Sequence, residues 1–155
     1  MESTFHCARP ASGCEADTMD RIIVSRLWYR LRDPEPGDVV AFRVPEAGVV
    51  ACTGGLSGAR PVFVSRLIAG PGDRWREQNG FIFVNGERLD EPYIEPERRD
   101  QDTIAEKTVP AGEYLVLGDN RSQSCDSRRW GTVPRDNLIG PVNAVYWPPG
   151  RIGFR

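Results

Sequence analysis

Residues 79–86 read NGFIFVNG, and the two Asn-Gly pairs decide how the chain around them folds. Asn-Gly supplies the two positive-φ positions of a type I′ turn, the tightest connection between antiparallel strands. Two such pairs around FIFV predict a meander over 74–89, with FIFV as its middle strand. Thirteen prolines and sixteen glycines break the rest of the chain into short pieces, which argues against long helices. Further strands are expected at 21–24, 38–43, 62–68, 114–117 and 143–147, where β-branched and aromatic residues run between turn dipeptides. Residues 25–32, SRLWYRLR, fit a short helix or a strand equally well. Residues 87–107 are dense in charge and poor in apolar side chains, and are expected to run over the surface as a solvated face.

The 155 residues, 39% hydrophobic, suffice for one core. The fold expected is mainly β and antiparallel. The net charge of −2 leaves no overall surplus to hold a nucleic-acid backbone. Of the 20 basic residues only Lys107 is a lysine, the rest being arginine. No stretch approaches the roughly 20 apolar residues of a membrane span. Cysteines 7, 14, 52 and 125 and the single histidine, His6, form no common zinc pattern. A disulfide between Cys7 and Cys14 is the expectation if the chain works outside the cytoplasm.

The most polar stretch is GDNRSQSCDSRRWG, residues 118–131, directly after the apolar run EYLVL. Serine, aspartate and arginine this close can hold a loop rigid through charge-assisted hydrogen bonds. The stretch resembles the G-D-N-R-x-x-S-x-D-S-R-x-x-G box of type I signal peptidases, serine endopeptidases that remove signal peptides from exported proteins. FVSRLIAGPGD (63–73) is similar to the family's base-bearing strand, and FVNGERLDEPYI (83–94) to its cap region. MESTFHCARPASGC (1–14) resembles the segment around the nucleophile in an actinobacterial-looking branch.

The resemblance implies a coiled antiparallel sheet or barrel core, residues 1–75 and 108–155, with a smaller cap over 76–107. It also implies a serine nucleophile and a desolvated lysine base, with no cofactor and no metal. Position by position, the nucleophile falls immediately before Met1, and the base position is held by Ser65. A serine hydroxyl cannot serve as a base near neutral pH. Ser124 takes the place of the residue that orients the base, and here it could meet the Ser65 hydroxyl instead. Asp126 and Arg128 are expected to pair, while Asp119, Asn120, Arg121 and Ser127 complete the loop. Ser3, Phe63 and Val64 are expected to line a groove for an extended peptide.

Ser3 as a displaced nucleophile, His6 as an alternative base and Cys125 as a packing or disulfide residue are weighed beside these roles. The partners implied are signal-peptide-bearing preproteins or extended peptides, with no nucleic acid. A membrane is reached only through an N-terminal anchor preceding this chain, and the domain is placed on the extracytoplasmic side. The alternative is a non-catalytic pseudopeptidase that binds extended peptides without cleaving them.

Overall fold

The computed structural model of the protein describes residues 1, 4–7, 16–55 and 61–154. Among them, two antiparallel sheets dominate. The larger sheet contains β1 (Arg21–Val24), β2 (Val39–Arg43), β3 (Val62–Ala69), β8 (Glu113–Leu117), β9 (Val133–Pro134), β10 (Leu138–Trp147) and β11 (Gly153–Phe154). Its strands run in the order β1-β10-β2-β3-β8-β9, with β11 paired to β10. The smaller sheet contains β4 (Arg74–Gln78), β5 (Phe81–Val84), β6 (Glu87–Arg88) and β7 (Ile104–Thr108), in the order β6-β5-β4-β7. Two short helices, α1 (Glu46–Thr53) and α2 (Ser127–Trp130), pack on each other. No helix among the described residues is long and apolar enough to cross a membrane.

Both Asn-Gly pairs form the hairpins expected of them. Asn79 and Gly80 have φ of 50° and 75°, and Asn85 and Gly86 have φ of 53° and 89°. Gln78 then pairs with Phe81 and Val84 with Glu87, each across a two-residue turn. The two sheets are not separate bodies. Ile68, Ala69, Leu115 and Leu117 of the larger sheet share one buried cluster with Trp75 and Ile82 of the smaller. A second cluster gathers Tyr29, Val40, Phe42, Leu67, Tyr114 and Val116, with Trp130 packed against it. The third is built on Phe5, Val142 and Val145, with Met1 and Val64 alongside, and it brings the N-terminal residues onto the larger sheet.

Two expectations are corrected. Residues 87–107 are not merely a solvated face: Glu91, Ile94 and Arg98 are buried, and β7 pairs with β4 through Arg74–Thr108, Trp75–Lys107 and Glu77–Ile104. As an edge strand, β7 keeps four of its five residues exposed, so it lacks the apolar alternation by which strands are read. Lys107 lies near the face of Trp75, 5.8 Å from the ring centroid. The strand expected at 143–147 begins at Leu138. Its Gly140-Pro141 pair reads as a breaker, but a Cβ on Gly140 would stand 2.0 Å from the Ser25 carbonyl oxygen. That glycine permits close backbone approach at a register shift. Helix α1 was not foreseen; its bounding signals are Pro45 before it and Gly54 after it, the latter left-handed with φ 69°. Within 25–32 the structure forms a single 3₁₀ turn, Trp28–Arg30.

Gly80 and Gly86 separate two costs. Both need positive φ, but a Cβ on Gly80 would also meet the Asp100 carbonyl oxygen at 2.0 Å, while Gly86 faces open space. Gly86→Ala should therefore cost about 1–2 kcal/mol, the left-handed penalty alone. Gly80→Ala should cost more, because the 100–103 segment must also move. Chemical denaturation of the two variants checks the order, and equal losses would refute the close-approach account.

Candidate active site

The loop 118–131 is fixed from within. Asp126, 1% exposed, caps α2 by accepting the Arg128 N–H at 3.1 Å, and its other oxygen accepts the Gly118 N–H at 3.1 Å. The Arg128 guanidinium returns to the same carboxylate in a fork, Nε to Oδ1 at 2.9 Å and Nη2 to Oδ2 at 3.0 Å. Its Nη2 also donates to the Arg121 carbonyl at 2.7 Å. The Ser127 hydroxyl accepts the Val116 N–H at 3.1 Å, and the Asn120 carbonyl accepts the Ser124 N–H at 2.9 Å.

The same side chains tie the loop to the rest of the molecule. Arg128 Nη1 meets Glu77 of β4 at 3.2 Å and also Asp100. Arg121, fully buried, pairs with Glu91, which holds Arg99 as well at 2.8 Å. Asp119 accepts a fork from Arg66 of β3, Nε at 3.0 Å and Nη2 at 2.8 Å, and accepts the Thr4 hydroxyl. Arg66 in turn stacks on Tyr93, 3.8 Å from the ring centroid. The disulfide Cys52–Cys125 joins the end of α1 to the middle of the loop, and Trp130 Nε1 donates to the Cys125 carbonyl at 3.2 Å. Cys7 is also disulfide-bonded.

Ser65 sits in the middle of β3, paired with Val40 and 6% exposed. Because Arg66 pairs with Leu117, Ser65 lies level with Gly118, the first residue of the loop. A Cβ on Gly118 would fall 1.9 Å from Ser124 Oγ, so only a glycine leaves room for that hydroxyl at this level of the sheet. Ser65 and Ser124 make no hydrogen bond to each other, contrary to the contact considered from sequence. A serine side chain ends one atom past Cβ and does not span the space a lysine would cross. Phe63 and Val64 lie on opposite faces of β3, one packed against the Phe42 cluster and the other against Phe5. Beyond Arg66 in the direction of Val62, β3 pairs with β2 but no longer with β8, leaving one backbone edge of 62–65 unladdered among the described residues. Ser3 and Cys14 lie outside the described residues.

Sequence reading missed the acidic partners Glu77, Glu91 and Asp100 and the bridging Thr4. One signal was present: in RWREQ, strand alternation puts Glu77 on the same face as Trp75, an inward position for a charge.

Burial pushes the Glu77 carboxyl up to about 7, and neighbouring Asp100 adds to this while Arg128 and Arg121 oppose it. Three carboxylates share one guanidinium here, and Glu77 Oε2 has no hydrogen-bond partner. A carboxyl that holds its proton more tightly when folded favours folding fully below about pH 4.5, and that contribution is lost as pH rises to about 7. Glu77→Gln should therefore flatten the fall in stability across this window, a change on the order of 1–3 kcal/mol. Thermal melts at half-unit pH steps check this; an unchanged slope would contradict it.

The family described as "Signal peptidase, peptidase S26" matches residues 5–147. The chain is 41% identical over 136 residues to "Probable signal peptidase I-2" of Synechocystis sp., covering 87% of this chain and 58% of the relative. It is 32% identical to signal peptidase I of Mycobacterium tuberculosis over an alignment of 194 positions, covering 99% of this chain and 64% of the relative. The crystal structure of a signal peptidase I from Enterococcus faecalis V583 superposes with a TM-score of 0.55 at 26% identity, covering 71% of this chain and 97% of that one. The chain thus spans less than two thirds of the length of these two curated relatives.

Proposed function

The chain belongs to the signal peptidase family, and we propose that its domain receives the extended cleavage region of signal-peptide-bearing preproteins beside Ser65. The observation that carries this reading is a convergence. Thr4 and Arg66, the latter one residue from Ser65, meet at Asp119, and Ser124 Oγ stands over Gly118 at the same level of the sheet. The N-terminal segment, the base-position strand and the box therefore end at one place. The unladdered edge of 62–65 offers main-chain donors and acceptors to an added strand, with Phe63 and Val64 beside it.

In this reading an attacking serine precedes Met1, and the site holds no base at residue 65. The single lysine, Lys107, belongs to the smaller sheet and pairs across from Trp75, so it does not substitute. Proton transfer to a positioned base contributes typically 10²–10⁴-fold, and the chain without one is expected to be slower by at least that factor. Asp119, Asn120, Arg121, Asp126, Ser127 and Arg128 act as positioning residues that keep Ser124 and β3 in place. The Cys52–Cys125 disulfide supports work in an oxidising, extracytoplasmic compartment. Ser65 favours one second reading, a pseudopeptidase that binds the extended peptide and leaves it whole.

Cleavage of a substrate with small residues at the first and third positions before the scissile bond separates these readings. Four samples are compared in detergent: this chain, the chain with serine added before Met1, that extended chain with Ser65→Lys, and a blank. Cleavage is expected only in the doubly restored protein. Cleavage by the unaltered chain would overturn the assignment of Ser65 to a vacated base position. Peptide binding without cleavage in all samples would establish the second reading.

A further inference from the structure

The 3₁₀ turn Trp28–Arg30, the end of β2 and the loop leading into β10 border an open cavity of about 610 Å³. Four arginines line it, Arg26, Arg30, Arg43 and Arg135, against a single carboxylate, that of Asp136. We propose that this cavity is a binding site for a phosphate-bearing anion.

Its frame is set before any ligand arrives. Arg135 Nη2 donates to the Tyr29 carbonyl at 2.6 Å, and its guanidinium lies 5.4 Å from the centroid of the Tyr29 ring. Tyr29 itself is buried and donates its hydroxyl to Asp38 at 2.9 Å. Across the cavity, Asn137 Nδ2 donates to the Arg43 carbonyl at 2.9 Å. Arg135 is thereby a fixed guanidinium that keeps further N–H donors in hand.

The other three arginines differ from those of the active site. Arg66, Arg121 and Arg128 each hold a carboxylate. The side chains of Arg26, Arg30 and Arg43 make no hydrogen bond or ion pair with a described residue, although the chain as a whole is net negative. Gathering like charges around one cavity is unfavourable until an anion neutralises them. The guanidinium fork matches the oxygens of a phosphate better than it matches a spherical ion. Leu27, on the cavity wall, and Leu31, on the same turn, are 59% and 76% exposed. An apolar lip beside a cationic cavity suits a phosphate that carries acyl chains as well as a free one.

Two probes distinguish those sources: inorganic phosphate titrated calorimetrically in chloride buffer, and sedimentation with vesicles of phosphatidylcholine with or without phosphatidylglycerol. The proteins are the unaltered chain, Arg30→Gln/Arg43→Gln, and Arg74→Gln/Arg88→Gln, which removes the same charge from the smaller sheet. The first pair should weaken binding by about tenfold or more, and the second by far less. Weakening with both probes assigns the site to a lipid headgroup. Weakening with phosphate alone assigns it to a soluble phosphate. Equal binding by all three proteins, or equal weakening in both variants, overturns the proposal. Arg30 and Arg43 are exposed, and melting curves in chloride confirm folding; Arg26→Gln replaces the pair if these shift.

Discussion

The structure depends on one charged knot, the fork between Arg128 and Asp126. Asp126 caps α2 and holds the Gly118 amide, so the carboxylate closes both ends of the loop at once. Arg128 carries the remaining contacts outward to Glu77 and Asp100. Buried ion pairs are poor evidence for net stability, because desolvation offsets much of the attraction. Their effect here is positional: removing one partner would strand the others in a buried site. The apolar cluster shared by both sheets contributes the burial, while the knot fixes where the loop lies upon it.

A second layer of polar contacts links that loop to the part of the larger sheet that holds Ser65. Asp119 reaches both Arg66 on β3 and Thr4 in the N-terminal segment. Since Phe5 sits in its own cluster with Val142 and Val145, the N-terminal residues are held by packing and by a carboxylate together. The disulfide from Cys52 adds a third constraint on the loop, applied through α1. Ser65 stands among all of these and takes none of their hydrogen bonds. A scaffold of this rigidity is what a proton-transfer site requires, since misplacement by about 1 Å can cost 10²-fold in rate.

Arginine usage divides along the same line. Where a planar fork meets a carboxylate, as at Arg66 and Arg128, lysine would lose the second hydrogen bond. Where arginines outnumber carboxylates, as at Arg26, Arg30 and Arg43 around Asp136, the side chains are exposed. A net charge of −2 conceals both, because it sums over a surface whose local fields differ in sign.

Local chemistry made much of the fold legible in the sequence. The Asn-Gly turns and the strands at 21–24 and 81–84 follow from backbone preferences and short-range spacing, which act within a few residues, while the loop box was read from its resemblance to a known motif. That residue 65 is a serine is equally plain, because it concerns identity alone. Contacts across long separations were decided only by the tertiary structure: Cys52 with Cys125, Thr4 with Asp119, Glu77 with Arg128, and the pairing of β7 with β4. Apart from the inward register of Glu77 beside Trp75 on β4, none leaves a local pattern, since an edge strand is exposed on one side and pairing across long separations has no short-range mark. What brings them together is the stacking of two sheets over a common core, and that arrangement exists only once the whole chain has folded.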